Sequence, residues 1–207
     1  MSDTDQPTQE PGKREAILEA ALEVFAEVGY ERATIKAIAA RAGLKSPALL
    51  YWYFPSKADI MRAVMTRHMP LTEPTIDHAL ITSLPIELVL RQIAGGMLHA
   101  YDTDPRVALS MRLIFAEIVR QSEDSMDVLL AGPAVLLNLL RECLKASIER
   151  GELRPHDFEV SARMFMGSLI VYVLGTAVVP VMGVGLPSSA AFVEALISNL
   201  LDGLRPT

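Results

Sequence analysis

The sequence predicts an all-α protein. Apolar residues recur every third or fourth position along most of the chain, alternation of period two is scarce, and the span Thr34 to Lys57 holds two helix starts around a glycine turn. A chain of 207 residues, 51% of them hydrophobic, is long enough to bury a sizeable core and allows one or two domains.

The first helix is expected over Lys13 to Val28, where Ile17, Ala21, Leu22, Phe25 and Val28 share a stripe and Gly29 supplies the stop. Thr34 can cap a second helix through Ile35, Ile38 and Ala39 that ends at Ala42-Gly43, because glycine accepts the left-handed conformation of a sharp turn. Ser46 followed by Pro47 opens a third, short helix that Pro55 stops after Phe54. Ser56 with Asp59 three residues on reads as a capping-box variant that starts a fourth, Lys57 to about His68.

Met69-Pro70 marks a boundary, and residues 71 to 84 suggest one short helix between Pro74 and Pro85. Helical spacing returns from Ile86 to about Tyr101 and from Pro105 to about Gln121. Ser125 to Arg150 is expected to be helical with an interruption at Gly132-Pro133 and a glycine stop at Gly151. Asp157 to about Val179 and Ser189 to Leu204 complete the set. The organisation is then a disordered tail (1–12), a helix-turn-helix domain (13–56), a connecting helix (57–68) and a helical body (69–207).

Net charge is −6, so a nucleic-acid surface would have to be local. Residues 29–68 carry seven Lys or Arg (Arg32, Lys36, Arg41, Lys45, Lys57, Arg62, Arg67) against Glu31 and Asp59, while both flanking segments are acidic. A basic module on an acidic body suits selective binding better than general coating of DNA. Cys143 is the single cysteine, which excludes an intrachain disulfide and reads as an inert apolar filler. The polar, acidic start of the chain has no apolar run of a secretory signal, and a cytoplasmic location is expected.

Met164 to Met182 is apolar enough to resemble a membrane span, since no charge occurs between Arg163 and Glu194. Ser168, Tyr172 and Thr176 interrupt it, Pro180, Gly183, Gly185 and Pro187 break its far end, and no basic cluster flanks it. A helix buried all round, partly against a symmetry mate, is the expectation.

In the short third helix, Leu50 and Phe54 can anchor one face, and the bulk of indole favours burial of Trp52. Tyr51 and Tyr53 are then nearer the rim, with Lys57 beyond, and a phenol or a lysine suits a phosphate oxygen. Gly29-Tyr30, Thr34, Ile38-Ala39, Ala42-Gly43 and Tyr51-Trp52-Tyr53-Phe54-Pro55-Ser56-Lys57 together resemble the amino-terminal signature of TetR/AcrR-type transcriptional regulators. The likeness covers about residues 13 to 65 and fixes many residue types at set spacings. It implies a three-helix DNA-binding domain on a helical, dimerising effector domain. By position it makes Thr34, Tyr51, Tyr53 and Lys57 phosphate contacts, and places Ser46, Pro47, Ala48 and Leu49, with Lys45 just before them, at the start of the recognition helix. The stretch between Gly43 and Tyr51 is one residue longer than the usual pattern, which leaves the register of base-reading residues open.

The function expected is that of a ligand-responsive regulator, most simply a repressor. It would bind a palindromic double-stranded operator as a homodimer and be released by a small hydrophobic effector. Two recognition helices in such a dimer sit about 34–36 Å apart. The last two helices would set that spacing through Met164, Leu169, Val173, Val193, Leu196, Ile197 and Leu200. Met97, Tyr101, Met111, Phe115, Met166 and Tyr172 are the expected effector-cavity walls, because methionine adapts to varied apolar shapes and a phenol orients a polar group. Gln92, His99, Ser110 and Glu117 could add polar contacts. No cofactor, metal or membrane partner is expected, and the four scattered histidines sit in no catalytic motif. The alternative is a helical ligand- or protein-binding module that no longer reads DNA.

Overall fold

The computed structural model describes residues 11–68, 77–120 and 123–206. Among them the chain forms ten α-helices, one short 3₁₀ turn (Pro180–Gly183) and no strand. The described residues divide into two compact units, one gathering those up to His68 with those of 113–129, the other those of 77–112 with those of 130–206.

In the first unit, α1 (Pro11–Val28) packs against α2 (Ile35–Arg41) and α4 (Lys57–His68), and α3 (Pro47–Tyr53) packs on α2. Ile17, Leu22, Phe25, Ile38, Leu50 and Ile60 are fully enclosed and form the core. Each start uses the side chain its sequence offers. Thr34 Oγ1 accepts from the Ala37 N–H at 3.1 Å and Ser46 Oγ from the Ala48 N–H at 3.2 Å. Ser56 Oγ accepts from the Asp59 N–H at 3.1 Å and donates to its carboxylate at 2.7 Å, so hydroxyl and carboxylate close the box on each other. Hydrogen bonds from Ser56 and then Arg62 hold the Asp59 carboxyl below its ordinary range.

Gly43 ends α2 with φ +68°, the Leu44 N–H donating to the Ala39 carbonyl and the Gly43 N–H to that of Ala40. That paired arrangement reverses the chain within two residues. Gly151 (φ +74°) repeats it after α8.

The second unit is built on α6 (Ile86–Thr103), α9 (Phe158–Ala177) and α10 (Ser189–Asp202), which pack on one another, with α5 (His78–Ser83) before them. α7 (Pro105–Arg120) and α8 (Glu123–Glu149) each contribute residues to both units. After α9 the chain folds back so closely that a β-carbon on Gly183 would lie 2.7 Å from the Gly175 carbonyl oxygen. Tyr172 fastens the same loop, its hydroxyl donating to the Pro187 carbonyl at 3.0 Å and its ring lying 4.5 Å from that of Phe192.

The expected break at Gly132-Pro133 does not occur, and α8 continues through Pro133. Leu129, Leu136, Leu140, Cys143 and Leu144 are buried at helical spacing on both sides of the proline, so packing outweighs one missing hydrogen bond. α9 is apolar and 20 residues long, enough by composition to cross a membrane. It is not buried all round: Val160, Met164, Ile170 and Val171 are exposed, while Phe165, Leu169, Tyr172 and Val173 face the interior. Of the seven positions expected at a contact between copies, Leu169, Val173, Val193 and Ile197 are core of the single chain, and Leu196 and Leu200 are half-buried. Only Met164 among them is open.

Candidate nucleic-acid interface

α2, the Gly43 turn and α3 form a helix-turn-helix in which Leu50, Tyr53 and Phe54 point inward. Positions 50, 53 and 54 share one helical face, so the opposite face carries what remains. Ser46, Pro47 and Ala48 are exposed, Leu49 is half-buried, and Tyr51 is 55% exposed. The placement of Trp52 and Tyr53 is the reverse of that expected from ring bulk. Trp52 stays 38% exposed and meets the edge of Tyr53, which is 9% exposed, because helical phase overrides hydrophobic volume.

Lys57 also differs from its expectation. Its ammonium donates to the carbonyls of Tyr30, Glu31 and Ala33 at 2.8, 3.1 and 3.3 Å and lies 4.3 Å from the centre of the Tyr30 ring. A lysine so engaged orders the loop between α1 and α2 rather than reaching outward.

Several other cations of this module are likewise held within the chain. Arg41 pairs with Glu23 and Glu27, both at 2.8 Å, and its hydrogen bond keeps the Glu27 carboxyl below its ordinary range. Arg62 bonds Asp59 at 2.6 Å and Arg67 bonds Glu15 at 2.9 Å. Lys36 and Lys45 are exposed and have no such partner among the described residues. Thr34 is exposed too, and its hydroxyl, which accepts from Ala37, still has a proton to donate. The exposed groups of this helix-turn-helix thus include two ammonium groups, a phenol and short hydroxyls, which suit phosphates and the edges of bases.

The expected effector residues differ in burial and come from both units. Met166 and Tyr172 are buried, Met97, Tyr101 and Met111 are half-buried in the second unit, and Phe115 belongs to the first. Burial foremost, then the charges of Asp102 and Tyr101, pushes the Tyr172 phenol above its ordinary pKa. The second unit shows an open groove of about 570 Å³ whose walls include none of the six. It is lined by Arg91, His99, Asp102, Ser188, Ser189 and Glu194 among others, and Arg91 pairs with Glu194 and with Glu87 one turn back on α6. Of the polar candidates, His99 lies in this groove and Gln92 faces solvent, whereas Ser110 and Glu117 are fully buried. Among the described residues no cluster of three or more His, Cys, Asp or Glu could hold a metal ion.

Fold and site define a class: a short helix-turn-helix reader carried by a helical body. Residues 17–64 match the model of "Bacterial regulatory proteins, tetR family", and residues 88–197 that of "AefR-like transcriptional repressor, C-terminal domain". The chain belongs to the TetR family and is a ligand-responsive helix-turn-helix transcriptional regulator. Similar curated proteins include the HTH-type transcriptional regulator SrpR of Pseudomonas putida, 29% identical over 74% of this chain and 70% of its own length. The HTH-type transcriptional repressor BepR of Brucella suis is 32% identical over 68% of each. Among solved structures, the SmeT–triclosan complex superposes with a TM-score of 0.73 at 21% identity, over 94% of this chain and 92% of the other. SmeT is the repressor of a Stenotrophomonas maltophilia multidrug efflux pump.

Proposed function

We propose that this regulator is a cytoplasmic homodimeric repressor that holds a palindromic operator and leaves it when a small, largely hydrophobic effector binds the body. The observation that carries the reading is the outward face of α3, where Pro47, Ala48 and Tyr51 stand exposed, in a helix-turn-helix whose Lys36 and Lys45 are exposed with no ion-pair partner among the described residues. Lys45 to Leu49 would approach base edges, Thr34 and Tyr51 would donate to phosphates, and Lys36 and Lys45 would supply counter-charge. Tyr53 and Lys57 would act mainly by shaping the reader.

A single reader of this size spans few base pairs, so a second copy is needed for affinity. Val160, Met164, Gly167, Val171 and Leu174 along α9, with Val178 just after its end, follow one another at steps of four and three, which is the spacing of a knobs-into-holes seam. Four of these are exposed apolar side chains, and Gly167 lets backbones approach closely. This stripe, in place of the buried residues first expected, supports the dimer. The half-buried Met97, Tyr101 and Met111 favour an apolar effector, and Ser110, buried with no partner for its hydroxyl among the described residues, offers it one polar contact.

The test is selection of duplexes from a random pool by the purified protein, followed by affinity measured against salt. A selected inverted repeat, bound with a steep inverse salt dependence, is the expected result. Failure to enrich any sequence at low ionic strength would return the chain to a module that does not read DNA.

A further inference from the structure

A carboxylate is fully enclosed in the first unit. Glu117, near the end of α7, is 0% exposed. One oxygen accepts the Tyr30 backbone N–H at 3.2 Å and a guanidinium N–H of Arg120, while the other is buried with no hydrogen-bond partner among the described residues. Burying a charge with incomplete compensation is costly, and apolar residues of similar size would fill the same space more cheaply.

The site it serves is built around it. α1 ends at Gly29 (φ +83°), whose N–H bonds the Phe25 carbonyl at 2.8 Å. In the paired ending seen at Gly43 and Gly151, the next N–H would also turn back to the helix. Here that N–H, of Tyr30, goes to Glu117 instead. A β-carbon on Gly29 would lie 2.7 Å from Arg120 and 3.2 Å from the Glu117 oxygen, so the turn sits directly on this pair. From its other side Lys57 binds the carbonyls of Tyr30, Glu31 and Ala33. The turn that leads into Thr34 and α2 is held by an anion at its N–H and a cation at its carbonyls.

We propose that Glu117 is a positioning residue of the DNA reader, locking the α1–α2 turn to α7 so that the placement of α7 sets the aim of the helix-turn-helix. Pro105–Arg112 of the same helix belong to the second unit, so a displacement begun there arrives at this lock. The inference rests on the DNA-reading function proposed above and adds the residue through which the body governs the reader.

The experiment has two arms. Amide hydrogen exchange of the wild-type protein should show the Tyr30 N–H, which lies outside any helix, exchanging far more slowly than an open amide; Glu117→Ala should abolish that protection and leave α9 and α10 unchanged. Affinity for the duplex selected by the wild type should then fall about tenfold in Glu117→Ala, the size expected for a charge-assisted hydrogen bond. Glu117→Gln, which keeps an acceptor oxygen, should recover most of it. Leu140→Ala, a core change in the second unit, serves as a control for general loss of stability. An unprotected Tyr30 amide in the wild type overturns the lock without any variant. Retained protection in Glu117→Ala, or an affinity loss no greater than that of the control, overturns the positioning role. If the wild type selects no duplex, the proposed function fails, and the exchange arm still judges the lock.

Discussion

At the scale of single residues, the reader shows how one side chain is claimed by one task. Tyr51 keeps its phenol outside and should contact phosphate, so Tyr51→Phe should weaken operator binding by about 1 kcal/mol. A titration showing no loss would leave Tyr51 with no part in DNA contact. Lys45→Ala should lower the slope of log affinity against log salt by about one ion. Lys57→Met should leave that slope unchanged but lower the melting temperature, because three carbonyls lose a charged donor. A flattened slope in Lys57→Met would show that the ammonium reaches DNA. Cys143 offers a simpler check. Burial foremost, with Glu142 adding, pushes its thiol to about 11, so iodoacetamide at pH 8 should modify the unfolded protein and spare the folded one. Residue types were legible in the sequence here, but their allegiances were not. A lysine next to a helix start is written identically whether it points to phosphate or folds back onto a carbonyl.

At the scale of elements, caps and glycines decided where helices begin and end, and these were readable because each acts within four residues. Thr34, Ser46 and Ser56 cap as their positions suggested, and Asp157 caps α9 in the same way. Pro133 was misread because its effect depends on the neighbours that bury α8 on either side. Pro133→Ala should be a stabilising change, since it supplies the N–H that can donate to the Leu129 carbonyl and removes a ring that generally crowds that position. A rise of about 1–3 kcal/mol in unfolding free energy is expected from denaturant melts. Loss of stability would mean that the proline relieves strain invisible in the helix itself. The Asp59 cap has a pH signature. Its carboxyl titrates below the usual range when folded, so its contribution is full above the ordinary carboxylate pKa and is lost as pH falls through the lowered value.

At the scale of the whole molecule, charge and apolar surface are distributed by function. The first unit pairs Arg41, Arg62 and Arg67 with its own carboxylates and, among the described residues, leaves the exposed Lys36 and Lys45 without such a partner. The second unit leaves Val160, Met164 and Val171 of α9 bare, at 51, 60 and 50% exposure. A stripe of that kind fits the second copy proposed above. If the proposed dimer forms through this stripe, Met164→Lys should shift sedimentation at micromolar concentration towards monomer and weaken operator binding in step, because each copy alone would grip half a site. A variant that stays dimeric would move the seam elsewhere.

The sequence by itself determined the helical class, nearly every helix boundary and the family likeness, because periodicity, caps and a dense local motif are properties of neighbouring residues. Tertiary structure alone decided that Tyr53 is buried and Trp52 open, that Lys57 serves a turn, and that Glu117, 87 positions from Tyr30, closes on its N–H. Those outcomes depend on which surfaces meet when distant helices pack, and a linear pattern carries no record of the meeting.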